Sequence, residues 1–138
     1  MRIIISFLLL PLTVHASEPV KRTIFDKEVI EAVIQAESSY QSGAVGDDGR
    51  AVGCLQIWKI MVREANRISG YRRFTYNDRK SKRKSIEMFL LYQKHHNPTG
   101  DIEKGCRIWV GGPDGWKQDG TKEYYKKVAK ILADNKIN

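Results

Sequence analysis

Residues 33–57 read VIQAESSYQSGAVGDDGRAVGCLQI, and the fold turns on how an apolar helical face gives way here to a run of glycines. Ile30, Val33 and Ile34 recur at helical spacing, and the next position on their face is not apolar but Glu37. Residues 41–52 then carry glycine and small-residue breaks around Asp47-Asp48-Gly49, turn chemistry that predicts a loop or a tiny hairpin and no helix.

Outward from that stretch the pattern is helical. A first helix spans residues 26–39, with Thr23 and Asp26 spaced as a capping box. A second covers residues 57–68, with Trp58, Met61, Val62 and Ala65 as its apolar stripe and Gly70 past its end. A third runs over residues 81–95 and stops at Asn97-Pro98-Thr99-Gly100. Asp101 caps a short helix through Val110, ended by Gly111-Gly112-Pro113. The last starts at Thr121 and buries Tyr124 or Tyr125, Val128, Ile131 and Leu132. The expected fold is mainly α, about five helices with a loop or tiny hairpin between the first two. No repeat or low-complexity linker divides the chain, so residues 17–138 read as one domain.

The N-terminus reads differently. Met1 and Arg2 form a short positive region, residues 3–12 are apolar apart from Ser6, and Val14-His15-Ala16 offers the small residues a signal peptidase recognises. Cleavage after Ala16 is expected, giving a secreted or periplasmic protein. The apolar run is about half of the roughly 20 residues a membrane span needs, so stable membrane insertion is not expected.

The 138-residue chain has 24 Lys and Arg, 16 Asp and Glu and a net charge of +8. Loss of residues 1–16 removes one cation, Arg2, and no acid, leaving 23 cations against 16 acids, a charge of +7. Outside the cytoplasm such a charge suits an anionic wall or surface. Arg72-Arg73 and residues 79–84 concentrate cations, but no aromatic residue lies within 79–84 to stack on bases, so nucleic acid is not the expected partner. Cys54 and Cys106 are an even pair that either bridges or stays as two buried thiols. His95 and His96 are adjacent and no Cys-x-x-Cys accompanies them, so neither metal nor cofactor is expected.

Glu37 is the residue with chemistry to offer. At the end of an apolar face, desolvation and the negative end of the helix dipole both raise a carboxyl pKa. A carboxylic acid kept protonated near neutral pH is what general acid catalysis at a glycosidic oxygen requires. The competing reading is a helix-edge Glu paired with a cation such as Arg50.

Glu37-Ser38, then Gly49-x-Ala51-x-Gly53-Cys54-Leu55-Gln56-Ile57, then Arg107-Ile108-Trp109-Val110-Gly111-Gly112-Pro113, resemble in order and spacing the motifs of the soluble-type lytic transglycosylases, within the lysozyme-like superfamily. The resemblance runs from Lys27 to Ile131, with residues 124–132 fitting the closing helix. It implies an enzyme that cleaves the β-1,4 bond between N-acetylmuramic acid and N-acetylglucosamine in peptidoglycan. It implies Glu37 as the acid and later the base, Ser38 as support for the site, Gln56 as a sugar ligand or organiser, and Gly53 as a point of close glycan approach. Trp109 stands where the family has Tyr, and Val110 where it has Asn. Trp109 keeps a stacking surface, while its indole N–H is expected to point away from the acid.

A hydrolase would add a second carboxylate, for which Asp47 or Asp48 is placed, ten and eleven residues after Glu37. A lytic transglycosylase needs Glu37 alone, and a glycan-binding module needs neither. The chain's size also suggests the transglycosylases that serve a secretion or conjugation apparatus.

Overall fold

The Asp26 side chain accepts the Val29 N–H at 3.0 Å and so caps the first helix. A computed structural model describes residues 25–137. Thr23, the other half of the expected capping box, and the expected signal segment, residues 1–16, lie outside the described residues. The order is α1 (Lys27–Ser38), β1 (Val45–Gly46), β2 (Ala51–Val52), α2 (Lys59–Ser69), α3 (Lys82–His96), α4 (Ile102–Gly111) and α5 (Lys122–Asn135), with short 3-10 turns between. The fold is mainly α, with one two-stranded antiparallel sheet whose register pairs Val45 with Val52 and Gly46 with Ala51.

The ends of the helices follow their capping residues. Ser81 accepts from Lys84 N–H ahead of α3, Asp101 from Lys104 N–H ahead of α4, and Gly70 takes the left-handed conformation after α2. Helix α2 starts two residues later than the sequence pattern suggests, because Ile57 is still tied to Val52 in a β-bridge. Helix α1 lies at the centre, burying Val29, Ile30, Ala32, Val33, Ile34 and Ala36. Helix α5 packs on α1 and α4, and α2 packs on α3. Fully burying one side chain such as Ile34 contributes roughly 1.5–3 kcal/mol. An aromatic chain locks α3 to α4: Phe25 meets Phe89 edge-on at 5.3 Å, and Phe89 meets Trp109 at 4.8 Å.

The small sheet has no core of its own and is held by polar clamps. Arg79, the first of the cations concentrated in residues 79–84, is buried. Its guanidinium donates to the carbonyls of Arg50 and Ile57, each at 3.1 Å, and of Tyr76 at 2.8 Å. Gly53 takes φ +86°, and a Cβ there would come within 1.8 Å of the Arg79 carbonyl oxygen. The close approach expected of Gly53 is therefore to its own chain and not to a glycan. The cysteines form no bridge. Both are free and buried in different surroundings, Cys54 near Lys82 and Ser85, Cys106 near Asp101 and Glu37.

Candidate active site

At its C-terminal end α1 carries Glu37 to the floor of a cleft of about 370 Å³, walled by Trp58, Ile60 and Met61 on one side and Trp109 and Val110 on the other, with Asp47 at the rim. A wider hollow, about 560 Å³, lies between the start of α1 and the end of α5, but surface Lys, Glu and Asn side chains line it and no buried acid faces it. The cleft at Glu37 is the candidate site.

The Glu37 carboxyl is half-buried, and its surroundings come from three helices. Tyr124 on α5 donates its hydroxyl to Glu37 Oε1 at 2.7 Å across 87 residues of sequence. Lys127, one turn along α5, donates to the carbonyl of Ala36, satisfying one of the open carbonyls at the end of α1. Burial pushes the Glu37 pKa up. The Tyr124 hydroxyl, the Lys127 ammonium and, more weakly, the Trp109 indole N–H pull it down, while Asp47 pushes it up, and the net result is a raised value. Burial, and after it the Glu37 charge, hold the Tyr124 phenol well above its ordinary range, so it stays a donor. Arg50 does not pair with Glu37; its guanidinium lies 5.0 Å above the Trp58 ring.

Trp109 stands beside the acid and lowers its pKa less than Tyr124 and Lys127 do. Its ring is only 9% exposed and is held edge-on by Phe89 and Tyr92. A ring so enclosed forms a wall and not an open stacking platform. Trp58 is the more exposed indole of the cleft. The sequence puts it in the apolar stripe of α2, yet it precedes the helix in extended conformation and is 39% exposed. Its indole N–H donates to Asp47 Oδ2 at 3.1 Å, which fixes the ring plane at the cleft.

The remaining expected residues divide in two. Ser38 donates to the carbonyl of Cys54 at 2.7 Å, joining the end of α1 to the chain after the hairpin. Gln56, with φ +48°, donates both amide hydrogens to backbone, to Gly53 at 2.9 Å and Ala44 at 3.3 Å. It organises the loop under the cleft and has no donor left for a sugar. Asp47 faces the cleft, whereas the Asp48 side chain is 97% exposed, 3.9 Å from Arg50. The two acids that looked equivalent in sequence are separated by backbone, both taking left-handed φ at 49° and 54°.

Tyr124 is the residue that sequence reading missed. The only signal was its place on the buried face of the last helix, which marks core as readily as a donor. The Cys106 thiol, near Glu37, is pushed up to about 12 by burial and nearby acids, so it is a neutral and inert neighbour. Among the described residues, no three His, Cys, Asp or Glu side chains gather as a metal-binding group, and no helix is long and apolar enough to cross a membrane. No protein-family model and no curated protein matches this sequence.

Proposed function

We propose that the chain is an exported lytic transglycosylase that cleaves the β-1,4 bond between N-acetylmuramic acid and N-acetylglucosamine in peptidoglycan. The observation that carries this reading is a single carboxyl with a raised pKa, half-buried at an open aromatic-walled cleft and held by a neutral phenol. In its protonated form Glu37 gives its proton to the glycosidic oxygen as the C1–O bond breaks. As carboxylate, stabilised by the Tyr124 hydroxyl, it then takes the proton of the muramic 6-hydroxyl, whose oxygen closes on C1 to form the 1,6-anhydro ring. Trp58 offers its ring to a sugar face, while Trp109 and Val110 close the far wall.

Hydrolysis is the second reading, favoured by Asp47, which shares the cleft and could orient a water. Against it, the Asp47 carboxylate already accepts the Trp58 indole N–H, a bond that gives it a positioning task without any chemistry. The partners on this reading are glycan strands of the wall, and a secretion or conjugation apparatus is the cellular setting such a small enzyme suits.

The test is to incubate the protein with purified peptidoglycan and weigh the released muropeptides. Anhydro ends are the expected product. Reducing ends would assign hydrolysis, and sedimentation on the wall with no release at any pH would leave a glycan-binding module.

A further inference from the structure

The cleft does not end at Trp58. Trp58 and Ile60, which wall it, also line a second depression containing Arg50, Lys59 and Arg63, with Asp48 at its edge. Arg63 in turn lines a third hollow with Arg72, Asn66 and Tyr76. Shared lining residues place these hollows side by side, a segmented groove that runs from Glu37 over the exposed face of α2. Lys59 and Arg63 lie one turn apart on that face, about 6 Å along the helix axis. Both are exposed, as is Arg72. Several neighbouring cations have acid partners: Arg67 meets Glu64, Lys82 meets Glu31, and Arg73, Arg83 and Lys84 converge on Glu87. Within the groove the acids are Asp47, bonded to Trp58, and Asp48, loosely facing Arg50 at 3.9 Å; Lys59, Arg63 and Arg72 form no ion pair among the described residues. The Lys59 ammonium rests over the Tyr76 ring at 5.3 Å, which keeps it in the groove without neutralising it.

We infer that this groove binds the carboxylates of the stem peptides carried by the glycan strand, through Arg50, Lys59, Arg63 and Arg72, on one side of the bond to be cleaved. The inference rests on the glycosidase reading of the Glu37 cleft and adds to it a substrate class: strands that still bear peptides. A stripped strand keeps only the lactyl carboxylate of each muramic acid, close to the sugar ring, whereas a peptide-bearing strand seated under Trp58 carries its carboxylates further out, over α2. Guanidinium groups take carboxylate and phosphate alike. The continuity of the groove with the strand's own path is what favours carboxylates attached to that strand.

The experiment compares glycan strands bearing stem peptides with the same strands stripped by an amidase. Wild type should show a KM several-fold lower for the peptide-bearing strands, and 1 M salt, where screening acts within roughly 3 Å, should erase the preference. Replacing Arg63→Glu and Arg72→Glu together should collapse the KM ratio of the two strands to near one, a loss of about fivefold. Lys94→Glu with Lys130→Glu, the same charge change on α3 and α5, should keep the ratio. Thermal melting checks that all variants fold. A ratio unchanged in the groove variant overturns the inference while leaving the glycosidase reading intact. If no strand is turned over, that reading fails instead, and calorimetric binding of the two strands still decides the groove. Tighter binding of teichoic acid or of a single-stranded oligonucleotide than of peptide-bearing strands would assign the groove to phosphate and overturn the inference.

Discussion

Glu37 and Asp47 are carboxylates on one cleft, held in opposite ways. Glu37 ends a central helix and is surrounded by side chains from α4 and α5, so burial sets its pKa and a fixed phenol sets its geometry. Asp47 sits on a hairpin of two-residue strands, with left-handed backbone, and answers to the Trp58 indole across an exposed hydrogen bond. Tertiary packing makes the first a chemical group. The second holds the Trp58 ring at the edge of the cleft. The general lesson is that a carboxyl gains unusual chemistry from what several elements bury around it, and a loop carboxyl seldom has that much protein to hand.

The strongest way to break this contrast is to exchange the roles by mutation. Glu37→Gln should lower turnover at least a thousandfold, in line with loss of a general acid and base, whereas Asp47→Asn, which keeps an acceptor for the indole, should cost no more than a few-fold. Comparable losses in both, measured by muropeptide release, would make Asp47 a second catalytic carboxylate.

Tyr124→Phe should come next, lowering kcat about tenfold or more, because a hydrogen bond to a charged group contributes roughly 1.5–3 kcal/mol. That bond lowers the Glu37 pKa, so its removal should move the alkaline limb of the pH–rate profile, where the acid loses its proton, upward; an unmoved limb would show that the phenol does not act on the acid.

Gly53→Ala tests the hairpin's support. With φ +86° and the Arg79 carbonyl in the way, it should destabilise the fold by about 2 kcal/mol or more in denaturant melts. A variant as stable as the parent would mean that the hairpin tolerates displacement from Arg79.

The smallest expected effect has the opposite sign. Folding raises the Glu37 pKa, so the folded chain holds that proton more tightly than the unfolded one. The group's contribution is fully present below its ordinary value of 4.5 and is lost as pH rises through the raised value. Glu37→Gln should therefore melt at a higher temperature than the parent at pH 7, and the difference should disappear below pH 4.5. A variant that melts lower at neutral pH would show that the ionised carboxylate stabilises the fold.

Much of this was legible in sequence because it is local. Asp26, Ser81, Asp101 and Gly70 mark helix ends through bonds within four residues, and the interrupted apolar face singles out Glu37 by spacing alone. Trp58 was misread because apolar residues at helical spacing look alike whether they enter a core or stand at a cleft. Asp47 and Asp48 are neighbours with the same side chain, both exposed, and only the backbone between them turns one toward the cleft.

The sequence by itself determined the five helices, the break after α1 and the carboxyl placed at that break, since propensity, caps and periodicity act over a few residues. Only the tertiary structure decided what surrounds that carboxyl. The Tyr124 phenol reaches it from 87 positions away, Arg79 holds the hairpin, and Gly53 is closed against backbone instead of open to ligand. Such contacts depend on where whole helices pack, and no local pattern of residues records that.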